Sequence, residues 1–75
     1  MILEDIFCET MEQEELPDKF EDLAMGDILN WDSLSNMNFL MAIEINFNIR
    51  FSFDEMSELN SIKLIKQRLL EYKTK

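Results

Sequence analysis

The chain contains no histidine, and its 75 residues include one glycine, one proline and one cysteine. Histidine is the most common general base and metal ligand in proteins, so its absence and the lone thiol predict no catalytic residue and no metal site. The single Cys8 excludes an internal disulfide framework and is expected to be a structural residue of the first helix. Gly26 stands alone, which excludes a glycine-rich phosphate loop. We therefore expect a protein that is not itself an enzyme.

Basic residues are also scarce, because seven Lys and Arg stand against 16 Asp and Glu, for a formal net charge of −9. This balance argues against nucleic-acid binding. The acids concentrate in residues 1–32, which hold 11 acids and one base, whereas residues 33–75 hold five acids and six bases. Their spacing does not match a calcium loop, so a solvated acidic surface is predicted.

Long apolar runs are absent as well, because no stretch approaches the roughly 18 residues of a membrane span. The first three residues are followed at once by Glu4 and Asp5, which carry the wrong charge for an export signal. Together with the single cysteine, these features predict a cytoplasmic protein.

Apolar residues at helical spacing predict a single all-α domain, a small four-helix bundle with three longer helices and one short helix. The first helix is expected from about Ile2 to Gln13. Pro17 then begins a long loop that runs to Trp31 and contains a turn of helix near residues 20–25. The apolar anchors of this loop are expected to be Phe20, Leu23, Met25, Ile28 and Leu29.

The second half of the chain contains the other three predicted helices. The second is expected over residues 33–46, the short third over residues 54–58, and the fourth begins after a capping Ser61. Lysines and arginines on the outer side of the fourth helix complement its C-terminal dipole. The core is predicted to consist of Leu3, Phe7, Leu40, Ile43, Phe47, Ile62, Ile65 and Leu69.

The second predicted helix has two apolar faces at 100° per residue. One face contains Phe39, Leu40, Ile43 and Phe47, and the opposite face contains Leu34, Met37, Met41 and Ile45. A domain this thin buries one face, so the second is predicted to be an exposed interaction surface. The alternative is that the long loop and the third helix bury both faces.

A serine begins this helix, within the run Asp27-Ile28-Leu29-Asn30-Trp31-Asp32-Ser33-Leu34. Serine is a preferred N-cap residue, and the helix dipole favours an anion at this place. The run, the chain length, the acidity and the helix order resemble the acyl carrier protein family, including the carrier domains of polyketide and peptide synthetases. The resemblance covers the whole chain.

The resemblance implies that Ser33 carries 4′-phosphopantetheine, added by a phosphopantetheinyl transferase that supplies the general base. The arm would then hold acyl groups as thioesters for enzymes of the acyl ligase, acyltransferase or ketosynthase type. The expected docking residues are Asp32, Leu34, Met37, Met41 and Ile45. The carrier itself is expected to be a monomer without catalytic residues.

The chain also departs from the family pattern. Asn30 occupies a place where glycine is common, and because asparagine tolerates the left-handed backbone region, the turn is expected to survive. Trp31 replaces a small residue and is expected to pack the loop against the helix. Ile45 and its polar neighbours replace acids on the second helix, which favours dedicated enzymes of a specialised pathway. Two alternatives remain, an unmodified structural or regulatory subunit and a peptidyl carrier of aminoacyl thioesters.

Overall fold

The computed structural model describes residues 3–73, which form four helices and one turn of 3₁₀ helix. This confirms the predicted all-α bundle of three longer helices and one short helix, with a long connection between the first two. Within the described residues, every helix is too short or too polar to cross a membrane. The helices are α1 (Leu3–Thr10), α2 (Ser33–Phe47), α3 (Phe53–Glu58) and α4 (Ile62–Lys73), and the 3₁₀ turn is Phe20–Asp22.

Helix α1 ends earlier than the predicted Gln13, and the predicted start at Ile2 lies outside the described residues. Glu12 adopts a left-handed conformation, with φ 55°. The Gln13 N–H donates to the Cys8 carbonyl at 2.9 Å and the Glu12 N–H donates to the Glu9 carbonyl at 3.4 Å. These two bonds satisfy free carbonyls of the last turn and close the helix, as in a Schellman motif.

The core is built around the ring of Phe7, which is fully buried. Its ring contacts Phe20, Trp31 and Phe39 edge to face, with centroid distances of 5.0, 5.3 and 5.4 Å. Such contacts stabilise aromatic pairs beyond their burial. Of the predicted core, Phe47 and Leu69 are only partly buried and pack against its edge. The other six are buried, namely Leu3, Phe7, Leu40, Ile43, Ile62 and Ile65.

The long connection between α1 and α2 is fastened to the start of α4. The Met25 N–H donates to the Asn60 carbonyl at 2.8 Å, and the Ile62 N–H donates to the Leu23 carbonyl at 3.0 Å. Two surface ion pairs join the same segments, Lys63 with Asp22 at 3.3 Å and Lys66 with Glu21 at 2.8 Å. The basic helix therefore lies against part of the acidic first half.

One prediction for this connection is wrong, and a second is confirmed for a different reason from the one expected. Leu29 is not an anchor, because its side chain is 98% exposed. The Trp31 N–H donates to the Ile28 carbonyl at 3.2 Å, so Leu29 and Asn30 lie at the tip of a turn that faces solvent. The turn before Trp31 is present as predicted, but Asn30 does not adopt a left-handed backbone in it. Its side-chain amide instead donates to the Met11 carbonyl at 2.9 Å and ties the turn to the end of α1.

Candidate functional site

Helix α2 is capped by Asp32 and not by the predicted Ser33. The Asp32 Oδ1 accepts the Ser35 N–H at 2.8 Å, and the Asp32 carbonyl accepts the Asn36 N–H at 2.8 Å. Aspartate and serine are equally good N-cap residues, so the sequence alone could not place the cap. Ser33 is consequently the first helical residue, and its side chain is exposed.

The capping bond also sets the charge beside Ser33. The hydrogen bond from the Ser35 N–H lowers the pKa of the Asp32 carboxyl, because it favours the ionised form. Asp32 therefore carries a full negative charge at neutral pH. Within residues 3–73, no side chain accepts a hydrogen bond from the Ser33 hydroxyl.

The segment before Ser33 is held by a buried polar contact that sequence reasoning missed. Trp31 is 1% exposed, which confirms that it packs the loop against the helix. Its Nε1–H donates to the Asn36 Oδ1 at 2.9 Å, and the Asn36 Nδ2 donates to the Leu59 carbonyl at 3.1 Å. The only sequence signal for Asn36 was a polar residue on the apolar side of a helix. This contact fixes the start of α2 against the end of α3.

The outer face of α2, formed by Leu34, Met37, Met41 and Ile45, is exposed as predicted. The exposed fractions of these side chains are 72, 38, 49 and 80%. The alternative in which both faces are buried is therefore wrong. Glu44 is the one charged residue of α2, and its Oε2 accepts the Phe51 N–H at 2.8 Å. The face that begins next to Ser33 is thus apolar and uncharged along its length.

Ser33 also opens onto a groove of about 270 Å³ between the start of α2 and the end of α3. Three methionine side chains line this Ser33 groove together with polar groups. Methionine is flexible and polarizable, so such a lining adapts to different apolar groups. The lining residues are Met25, Ser33, Asn36, Met37, Met56, Ser57 and Asn60.

Residues 3–73 contain no group of three histidine, cysteine, aspartate or glutamate side chains that could hold a metal ion. Comparisons of the chain with protein-family models, with curated proteins and with solved structures found no match.

Proposed function

We propose that the protein is a carrier whose Ser33 hydroxyl is esterified with 4′-phosphopantetheine, and that it delivers acyl or related groups to partner enzymes as thioesters. One observation supports this most directly: Ser33 is exposed at the first position of a 15-residue helix, between an ionised capping carboxylate and an apolar outer face. This arrangement combines an accessible nucleophile, a place that favours a phosphodiester and a surface for protein contact.

The attachment step requires little of the carrier. The Ser33 oxygen attacks the pyrophosphate of coenzyme A, a new P–O bond forms, and the adenosine 3′,5′-bisphosphate moiety leaves. The serine proton passes to a base of the transferase. Asp32 lies next to the reacting oxygen in sequence and is ionised, so its carboxylate suits contact with the transferase or its Mg²⁺. The partial positive charge of the first turn of α2 favours the phosphodiester product.

The outer face of α2 supports the second part of the proposal, delivery to enzymes. Leu34 and Ile45, at its two ends, are 72 and 80% exposed. Exposed apolar surface of this kind marks protein-interaction sites. Because the face is uncharged, we expect docking to acyl ligase, acyltransferase or ketosynthase type enzymes to depend only modestly on salt. A cytoplasmic monomer is part of the same proposal.

The decisive experiment is incubation of the purified protein with a promiscuous phosphopantetheinyl transferase and coenzyme A, followed by intact-mass analysis. One phosphopantetheine per chain is expected, and peptide mapping should place it on Ser33. Ser33→Ala should remain folded and unmodified. Ser35→Ala, a serine two positions further along α2, is the matched control and should be modified like the wild type.

Modification that persists in Ser33→Ala would show that the attachment site is wrong. No modification of the wild type would favour the unmodified structural or regulatory subunit. Intact mass of the protein purified from its own host distinguishes acyl cargo from the aminoacyl cargo of a peptidyl carrier.

A further inference from the structure

A second groove, of about 780 Å³, lies at the other end of α2, where the chain passes into α3. Ile45 and Phe53 both line it, and they are 80 and 81% exposed. A phenylalanine is seldom left this open to water, and exposed apolar clusters mark binding surfaces. The lining of this Arg50 groove consists of Glu44, Ile45, Asn48, Ile49, Arg50, Phe51, Phe53 and Met56.

The backbone of the groove is held from both sides. The Phe51 N–H donates to the Glu44 Oε2 at 2.8 Å, and the Tyr72 hydroxyl donates to the Arg50 carbonyl at 2.8 Å. Ser52 then caps α3, with its Oγ accepting the Glu55 N–H at 3.1 Å and its own N–H donating to the Glu55 Oε1 at 2.9 Å. The groove is therefore preformed, which lowers the entropic cost of binding.

The groove also contains a cation, Arg50, that has no partner carboxylate among the described residues. Lys63, Lys66 and Arg68 of α4 each pair with a carboxylate. Arg50 is exposed and pairs with no carboxylate of residues 3–73. Glu44 also lines the groove, but one oxygen of its carboxylate is taken by the Phe51 N–H. On a chain with a net charge of −9, this surface offers two open apolar side chains beside a free guanidinium.

We propose that the Arg50 groove docks a partner-protein segment that carries an apolar side chain next to a carboxylate. The apolar side chain lies between Ile45 and Phe53, and the carboxylate pairs with Arg50. A guanidinium matches a carboxylate in a planar, two-bond arrangement, so this pair adds specificity as well as attraction. The groove should therefore prefer an acidic segment, whereas the overall negative charge of the chain would favour a basic one.

This inference extends the docking face of the proposed carrier, but it does not require Ser33 to be modified. It is tested on the unmodified 75-residue chain with two synthetic helical peptides. Both have the same leucines on one face, and the polar positions carry glutamate in one and lysine in the other. Binding is followed through the backbone amide resonances of the ¹⁵N-labelled protein at physiological salt.

The glutamate peptide is expected to shift the amides of Ile45, Ile49, Arg50 and Phe53. The lysine peptide is expected to bind the acidic first half of the chain instead. Arg50→Glu and Phe53→Ala should each weaken the glutamate peptide about tenfold. Lys63→Glu, an exposed position on α4, is the matched control, because it changes the net charge as much as Arg50→Glu does and should leave binding unchanged.

Three results would overturn the proposal. The first is that the glutamate peptide shifts no amide resonances or shifts only those outside the groove. The second is that Arg50→Glu and Lys63→Glu weaken binding of the glutamate peptide equally. The third is that the amide resonances of the groove shift with protein concentration when no peptide is present. The last result would assign the groove to a second copy of the chain. None of these results depends on the mass measurement on Ser33. Failure of the groove proposal can therefore be distinguished from failure of the carrier proposal.

Discussion

Asn36 is the one polar side chain that residues 3–73 bury in the core, with 5% exposure. It joins the indole N–H of Trp31 to the carbonyl of Leu59. Asn36→Ala removes both bonds and leaves two buried polar groups without partners, each of which costs about 1–3 kcal/mol. We therefore expect a clear loss in the free energy of unfolding, measured by urea denaturation with far-UV circular dichroism.

Asn38 provides the matched control for this test. It lies two positions further along α2 and is exposed, so Asn38→Ala should change the free energy of unfolding by less than about 0.5 kcal/mol. Equal losses in the two variants would mean that the Asn36 contact does not hold the site. A large loss of unfolding free energy in Asn36→Ala alone would show that this side chain stabilises the start of α2.

Urea denaturation also distinguishes the role of Asp32 from that of Ser33. Because the Asp32 carboxylate caps α2, Asp32→Ala should destabilise the protein and Asp32→Asn should largely retain the cap. Ser33→Ala should leave stability nearly unchanged, because the Ser33 side chain is exposed and does not cap the helix. If Ser33→Ala destabilised more than Asp32→Ala, the cap assignment would be reversed.

At the scale of the element, α2 carries two isoleucines on opposite faces. Ile43 is fully buried, and Ile45 is 80% exposed. Ile43→Ala should lower the free energy of unfolding by about 2–5 kcal/mol, as truncations in a packed core do. Ile45→Ala should change it by less than about 0.5 kcal/mol, and even Ile45→Glu should leave the fold intact. Chemical denaturation of the three variants checks both faces, and unfolding of Ile45→Glu would show that the outer face is core.

Helix α3 has no buried residue of its own, and Glu55 fastens it to α4. Partial burial raises the pKa of Glu55, but hydrogen bonds from the Ser52 N–H, Arg68 and Tyr72 outweigh this effect and hold the pKa below its ordinary value. Such a carboxylate stabilises the fold above its unfolded pKa, and this contribution is lost as pH falls through the folded pKa. The contact that Glu55 makes between α3 and α4 should therefore weaken only at acidic pH.

Glu55→Gln tests this expectation. At pH 7 the variant should be less stable than the wild type, and the difference should shrink as the pH falls below about 4. Glu58→Gln, at an exposed glutamate of the same helix, is the matched control and should change the free energy of unfolding little at pH 7. Urea denaturation at a series of pH values measures both. A Glu55→Gln deficit that is as large at pH 3 as at pH 7 would contradict the role of the ionised carboxylate.

The helices and the two faces of α2 could be predicted from sequence because both follow from a local period of apolar residues. The buried side of α2 and the exposure of Leu34 and Ile45 are confirmed for this reason. The early end of α1 was missed because no glycine marks it, and Glu12 adopts the left-handed conformation that glycine usually supplies.

The polar details of the site depend on contacts between distant residues, which one sequence does not reveal. The bond from Asn36 to Leu59 spans 23 positions, and the bond from Asn30 to Met11 spans 19. The exposure of Leu29 follows from its place at the tip of a turn and not from its apolar character. The sequence predicts that Ser33 begins α2, but the capping role of Asp32 became clear only from its geometry.

At the scale of the whole molecule, charge is unevenly distributed. Residues 1–32 hold 11 acids and one base, and the two ion pairs to α4 neutralise only a small part of this charge. These pairs are exposed, and exposed pairs contribute about 0–1 kcal/mol each. Repulsion among the acids is therefore expected to dominate the salt dependence of stability.

Added salt should accordingly raise the melting temperature between low and physiological ionic strength, because it screens repulsion more than it weakens the two pairs. Thermal unfolding followed by circular dichroism across a salt series checks this. A melting temperature that falls over that range would mean that the ion pairs outweigh the repulsion. The variant Lys66→Gln, which removes one pair, should show a steeper rise with salt than the wild type.

The placement of Trp31 has an optical consequence. It is the single tryptophan of the chain, its ring lies against Phe7 and Phe39, and it precedes Ser33 by two positions. The intrinsic fluorescence of the protein therefore comes largely from one fluorophore at the entrance to α2. A shift of its emission to longer wavelength reports that water has reached this entrance. Under the proposed carrier function, loading of Ser33 that opens this entrance is expected to appear as such a shift on an unlabelled protein.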